Sequence, residues 1–371
     1  MNRAYYIDRL RILLTVLVIF HHSAIAFGAS GGWYYVTPHA TSGLTQQTLS
    51  LFMAINQAFF MSFFFFISAL FMPSSFDRKG FGKFLKDRFV RLGIPLLVYT
   101  LLIHPTLVYG IFKYLGKETG SWLHFVWIID TKYSEPGPMW FVLTLLIFEI
   151  VYAFYRKYFR FLLPVNISGK LPSSMSIVLF IIITGLLAYG IRFIFPVGTS
   201  IFGLQLGYFV LYIAMYALGI IAGRKNWIDR MPLQKAKPWF IASLVAIPAL
   251  AVAIALTKSP EAAKNFMGGF NVKALLYAMW EPVICVGFCY YLLMLFKKHW
   301  NKPNKFILSL SADSYTTYIF HPLIVVGYTF LSEKIDMPPL ARLAFVLILG
   351  IPSCFLVAHL IRKIPGAKRV L

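Results

Sequence analysis

Apolar residues recur in long runs from one end of the chain to the other, separated by short polar and mostly basic stretches. A run of about 20 apolar residues, wound as an α-helix, matches the ~30 Å hydrocarbon core of a bilayer. The pattern predicts an all-α integral membrane bundle of about ten transmembrane helices, near 11–29, 51–73, 93–113, 139–156, 174–195, 205–223, 239–256, 273–296, 307–331 and 340–361. No stretch reads as an appended soluble domain, so residues 1–371 are expected to form a single multi-pass membrane domain. The first run has the flanks of a signal peptide. His21 and His22 within it are costly in lipid unless used, and argue for a retained helix.

Composition supports this picture. Hydrophobic residues make up 59% and charged residues 13% of the chain, against roughly 45–50% and about 25% in soluble domains. The net charge of +22 does not indicate a nucleic-acid surface, because the cations cluster between apolar runs. With the N-terminus inside, 26 of the 35 Lys and Arg residues fall on the cytoplasmic side, mainly in 78–91, 156–170, 224–237, 297–305 and 362–369. Segment 30–50 has none. This asymmetry places both termini in the cytoplasm of a cell-membrane protein that contacts anionic lipid. Three cysteines inside apolar runs, without a CxxC pair, suggest neither a disulfide framework nor a zinc site. Gly203/Gly207 and Gly219/Gly223 have the spacing of close helix packing.

Ionisable residues inside a membrane are candidates for chemistry, and here these are His21, His22, Glu149, Glu281, Asp313, His321 and His359. Arg11 and His22 are eleven positions apart on a helix, a rise of ~16 Å with the two side chains only ~20° apart. Asp8, one turn before Arg11, can orient it. Arg88 and Arg91 are three residues apart and suit a shared phosphate-like anion. Glu281 and His321 each precede a proline, which breaks helical hydrogen bonding and exposes backbone groups. Adjacent helical residues point ~100° apart, so His21 and His22 do not readily share a metal ion, and no metal site is expected. These groups also fit a proton-coupled secondary transporter working through Glu281, His321 and His22, although no inverted repeat is visible.

Five stretches carry a more specific resemblance. They are Ile7-Asp8-Arg9-Leu10-Arg11 with His22 after ten further residues; Phe63–Met72; Arg88-Phe89-Val90-Arg91; Pro138-Met139-Trp140-Phe141; and Ser311–Tyr315 running on through Tyr318 to His321-Pro322. In this order they resemble the bacterial membrane-bound acyltransferase family 3, except that Ala69 stands where the second-helix motif usually has Gly. The resemblance implies transfer of an acyl group, usually acetyl, from cytoplasmic acyl-CoA to a carbohydrate hydroxyl on the outer side. Acyl-CoA is then a donor substrate, with no permanently bound cofactor. A glycan acceptor and a glycan-biosynthesis pathway are the implied partners. Arg11, Arg88 and Arg91 match the family's arginines and would hold the CoA phosphates. His22 matches its histidine, as general base or transient acyl carrier. Glu281 and His321 are further catalytic candidates, with Ser68, Trp140, Ser314, Tyr315 and Tyr318 as pocket-lining residues.

Overall fold

The computed structural model describes residues 3–132, 135–159, 169–257 and 264–371. Arg160, one of the loop cations counted above, lies outside the described residues. Among the described residues, ten long helices follow one another: α1 Tyr5–Ala26, α2 Gly43–Leu70, α3 Met72–Tyr114, α4 Gly137–Tyr158, α5 Ser174–Ile191, α6 Leu206–Arg224, α7 Leu233–Ala255, α8 Val272–His299, α9 Lys305–Glu333 and α10 Pro339–Ile361. Among the described residues there is no strand. The protein is an all-α, multi-pass membrane protein.

Nine of these helices, all but α9, are long and apolar enough to cross a bilayer. α9 has ample length, at 29 residues. It is also studded with buried polar groups, among them Ser311, Asp313, Thr316, Thr317, His321 and Thr329. Several of these are satisfied at short range. Ser314, Thr329 and Ser332 donate to the carbonyls of Leu310, Val325 and Thr329, and Asp313 accepts from Arg362 at 2.6 Å.

The third helix is longer than its expected span at 93–113. Its first turns are cut off at Gly80, whose φ of 71° suits a residue without a Cβ. Two five-residue π-helical segments, Phe89–Gly93 and Tyr99–Ile103, then interrupt it. Such segments widen the helix locally and turn side chains away from α-helical register. Arg88 and Arg91 therefore diverge more than the simple i, i+3 spacing implies.

By contact density the chain divides into two compact units, each assembled from three separate stretches. The first contains Met1–Leu10, Ala54–Gly80 and Tyr155–Pro303, and the second contains Arg11–Met53, Phe81–Phe154 and Asn304–Leu371. Within the first, α8 packs along α7 and α5, around Ala58, Leu250, Phe266, Tyr277, Trp280 and Ile284. Glycine permits the tightest approaches there. A Cβ on Gly219 would lie 2.7 Å from the Ala69 Cβ and against the Phe66 carbonyl. The extra methyl of Ala69 in α2 is thus accommodated by the absence of one on α6. Within the second unit, α9 packs along α10, and Ile19, Phe27, Val325, Val346 and Cys354 are part of its core.

Candidate active site

Proline creates the site's first fixed point. Pro322 has no N–H, so the carbonyl four residues earlier, that of Tyr318, loses its helical partner. His321 takes that carbonyl, with Nδ1 and the Tyr318 oxygen 2.7 Å apart. A carbonyl only accepts, so the proton of this bond belongs to His321 Nδ1. With the ring neutral, Nε2 of His321 carries a lone pair. Nε2 lies 2.9 Å from Nδ1 of His22, so His22 donates through Nδ1. The lone pair of the His22 ring is thereby placed on Nε2. The order Tyr318 carbonyl, His321, His22 fixes both tautomers and both ring orientations. The Tyr318 side chain is anchored as well, its hydroxyl donating to the Pro138 carbonyl in a short contact.

The loop after α1 covers His22. α1 ends in a Schellman turn, with Ala29 N bonded to the Ala24 carbonyl at 3.0 Å and Gly28 N to that of Ile25 at 3.0 Å. Gly28 supplies the left-handed residue, φ 99°. The carbonyls left open at the helix end are taken by the returning loop: Thr37 N bonds to Ala26 and Thr41 N to Phe27, each at 2.9 Å. The loop is therefore folded onto the helix it leaves. It lays Trp33 on the His22 imidazole, ring centres 4.1 Å apart and planes 18° from parallel. Trp33 Nε1 is buried without a hydrogen-bond partner, an arrangement that costs about 1–3 kcal/mol in a protein interior. Next to it, the Tyr34 hydroxyl lies 3.0 Å from that of Tyr99 and 2.8 Å from His104 Nδ1. Burial pushes the Tyr34 phenol well above its ordinary range, so it stays a neutral donor. Tyr35 and Tyr114 both donate to Glu333, at 3.0 and 2.7 Å, and clasp the loop to the end of α9.

The candidate arginines lie in the same unit. α1 is unbroken from Tyr5 to Ala26, so Arg11 stands ~16 Å along its axis from His22 on the same face. Arg88 reaches Glu149, Nε to Oε2, at 3.2 Å. Exposed Arg91 accepts the Tyr315 hydroxyl on its backbone carbonyl at 2.9 Å. Asp313 is held between Arg362 and His359, at 2.6 and 3.0 Å. Asp8 pairs with Arg3 at 2.9 Å. Trp140 is half-buried in α4, and half-buried Ser68 belongs to the first unit. Glu281 is also in the first unit, where it forms a short ion pair with Arg192.

A family model described as an acyltransferase domain matches residues 4–359. The chain belongs to acyltransferase family 3. A search of curated proteins finds no match. The acyltransferase thus has a histidine pair of defined tautomer under an aromatic cover, and membership of this family sets the transporter alternative aside.

Four residues of this acyltransferase escaped the sequence analysis. Trp33 stands beside Tyr34 and Tyr35 in a loop between spans, a pattern equally expected of aromatics that anchor at the membrane interface. His104 and Tyr99 lie in an apolar run, yet His104-Pro105 repeats the pattern of Glu281-Pro282 and His321-Pro322 and could have been found by it. Arg192 sits at the end of the fifth run and is 1% exposed. Its signal was the need of Glu281 for a buried cation.

Proposed function

We propose that this acyltransferase moves an acyl group, acetyl being the family's usual cargo, from cytoplasmic acyl-CoA to a carbohydrate hydroxyl at the opposite membrane face. The charge asymmetry of the loops supports a cytoplasmic position for both termini. One observation carries the chemistry: the proline-freed Tyr318 carbonyl orients His321, which in turn leaves the Nε2 lone pair of His22 available. That lone pair accepts the proton of the acceptor hydroxyl while its oxygen attacks the thioester carbonyl. The C–O bond forms, and the carbonyl π electrons move onto oxygen. Collapse restores the carbonyl and breaks the C–S bond, and the proton on His22 passes to the departing CoA thiolate. If the acyl group instead pauses on His22, the same Nε2 atom is the nucleophile.

Arg11, Arg88 and Arg91 offer the planar, charge-assisted donors that phosphate and pyrophosphate bind best. The ~16 Å between Arg11 and His22 is a distance an extended pantetheine arm covers. The test uses purified protein in lipid vesicles, supplied with acetyl-CoA and candidate glycans and assayed for free CoA thiol. His22→Ala should lower the rate by ~10²–10⁴-fold, the usual worth of a positioned base. An unchanged rate in folded His22→Ala protein would remove His22 from the mechanism.

A further inference from the structure

The indole N–H of Trp33 is a buried donor with no partner, on a ring stacked against the imidazole of His22. Its position is determined from several sides. The loop returns to α1 through Thr37 and Thr41. Tyr34 is bonded to Tyr99 and His104, and Tyr35 is tied to Glu333. Native proteins leave few buried donors unpaired, and a catalytic role is one of the recognised reasons for such a group. The unpaired N–H therefore belongs to a ring held against the imidazole of His22.

We propose that Trp33 Nε1–H donates a hydrogen bond to the thioester carbonyl oxygen as it becomes an oxyanion, making Trp33 a catalytic residue alongside His22. The stereochemistry is consistent. The lone pair of His22 lies in its ring plane, so a group stacked on the ring face leaves the approach of the acceptor hydroxyl open. Attack runs nearly perpendicular to the carbonyl plane, which directs the carbonyl oxygen to the side of the attack line. A donor stacked over one face of the imidazole is placed to meet it there. Negative charge builds on that oxygen only in the transition state, so a fixed donor in a water-poor site favours the transition state over the ground state. The indole keeps its proton throughout, and the electron pair on oxygen returns when the C–S bond breaks.

This inference rests on the assignment of His22 as the base or acyl carrier, and the two fail separately. Trp33→Phe keeps an aromatic ring over His22 and deletes the N–H. It should lower kcat for CoA release by ~10²-fold, the usual effect of losing one oxyanion donor, while leaving KM for acetyl-CoA nearly unchanged. Thermal stability of the variant should hold or rise, because an unsatisfied buried donor is removed. A purely structural Trp33 would give the reverse: a lower melting temperature with kcat intact. Where the smaller ring disturbs packing, benzothienylalanine at position 33 replaces the N–H by sulfur in a bicycle of nearly the same shape, and its kcat decides. Parental kcat in that protein overturns the role of Trp33 while His22→Ala remains inactive. Parental activity in His22→Ala would instead defeat the assignment on which this inference is built.

Discussion

At the scale of single residues, two imidazoles are oriented by a missing hydrogen. Pro322 withholds an N–H from the Tyr318 carbonyl, His321 occupies the vacancy, and the tautomer of His22 follows. Pro322→Ala would restore the helical bond and make its new N–H compete with His321 for the same oxygen. The variant should be at least as stable as the parent, because a helix-breaking residue is gone. Its acyl-transfer rate should nevertheless fall, on the order of 10-fold or more, through loss of the oriented base. His321→Ala removes the acceptor of the His22 Nδ1 proton altogether and should be more severe than His321→Gln, whose amide oxygen can still accept it. Initial rates of CoA release for the three variants, beside their melting temperatures, check this order. Sequence marked His22 and His321 one at a time, as ionisable groups in apolar runs. The bond between them spans 299 positions, and no periodicity reports a pairing at that range. Trp33 was hidden for a different reason: in a loop between spans, an aromatic that anchors to the membrane interface and one that covers an imidazole have the same local pattern.

At the scale of helices, buried charge is balanced between elements. Arg192 at the end of α5 is 1% exposed and pairs with Glu281 of α8 at 3%. It also bonds the Gly207 carbonyl at 3.1 Å and lies 5.5 and 5.3 Å from the ring centres of Tyr208 and Tyr277. Arg192→Met would strand the Glu281 carboxylate in an apolar interior, a loss of about 3–5 kcal/mol for a broken buried pair. Arg192→Met combined with Glu281→Met should recover most of it, since apolar replacement of a whole buried pair is often near neutral. Thermal unfolding in detergent distinguishes the single from the double variant. If the double variant is stable yet inactive, the Arg192–Glu281 pair also serves the reaction. The helices themselves were largely legible, because a bilayer-length apolar run leaves few alternatives. Their local departures were not: the π-helical turns of α3 and the Gly219–Ala69 approach depend on neighbours distant in sequence.

At the scale of the whole molecule, two compact units are each threaded from three stretches of chain, so no single cut in the sequence frees one from the other. Cys285, Cys289 and Cys354 are buried free thiols, which leaves the intact protein nearly silent to a membrane-impermeant maleimide. Introduced cysteines then report topology. Ser30→Cys should label in intact cells, whereas Lys302→Cys should label only after the membrane is opened; the opposite result would invert the orientation proposed here. α9 has a further consequence, for biogenesis. A segment carrying Asp313, His321 and a row of hydroxyls partitions poorly into lipid as it leaves the translocon, whereas the next helix to emerge, α10, enters readily. His359 and Arg362, at and just beyond the end of α10, hold the carboxylate that α9 would otherwise carry bare into the bilayer. The residence of α9 in the bilayer therefore depends on α10, which supplies the partners of the buried Asp313 carboxylate.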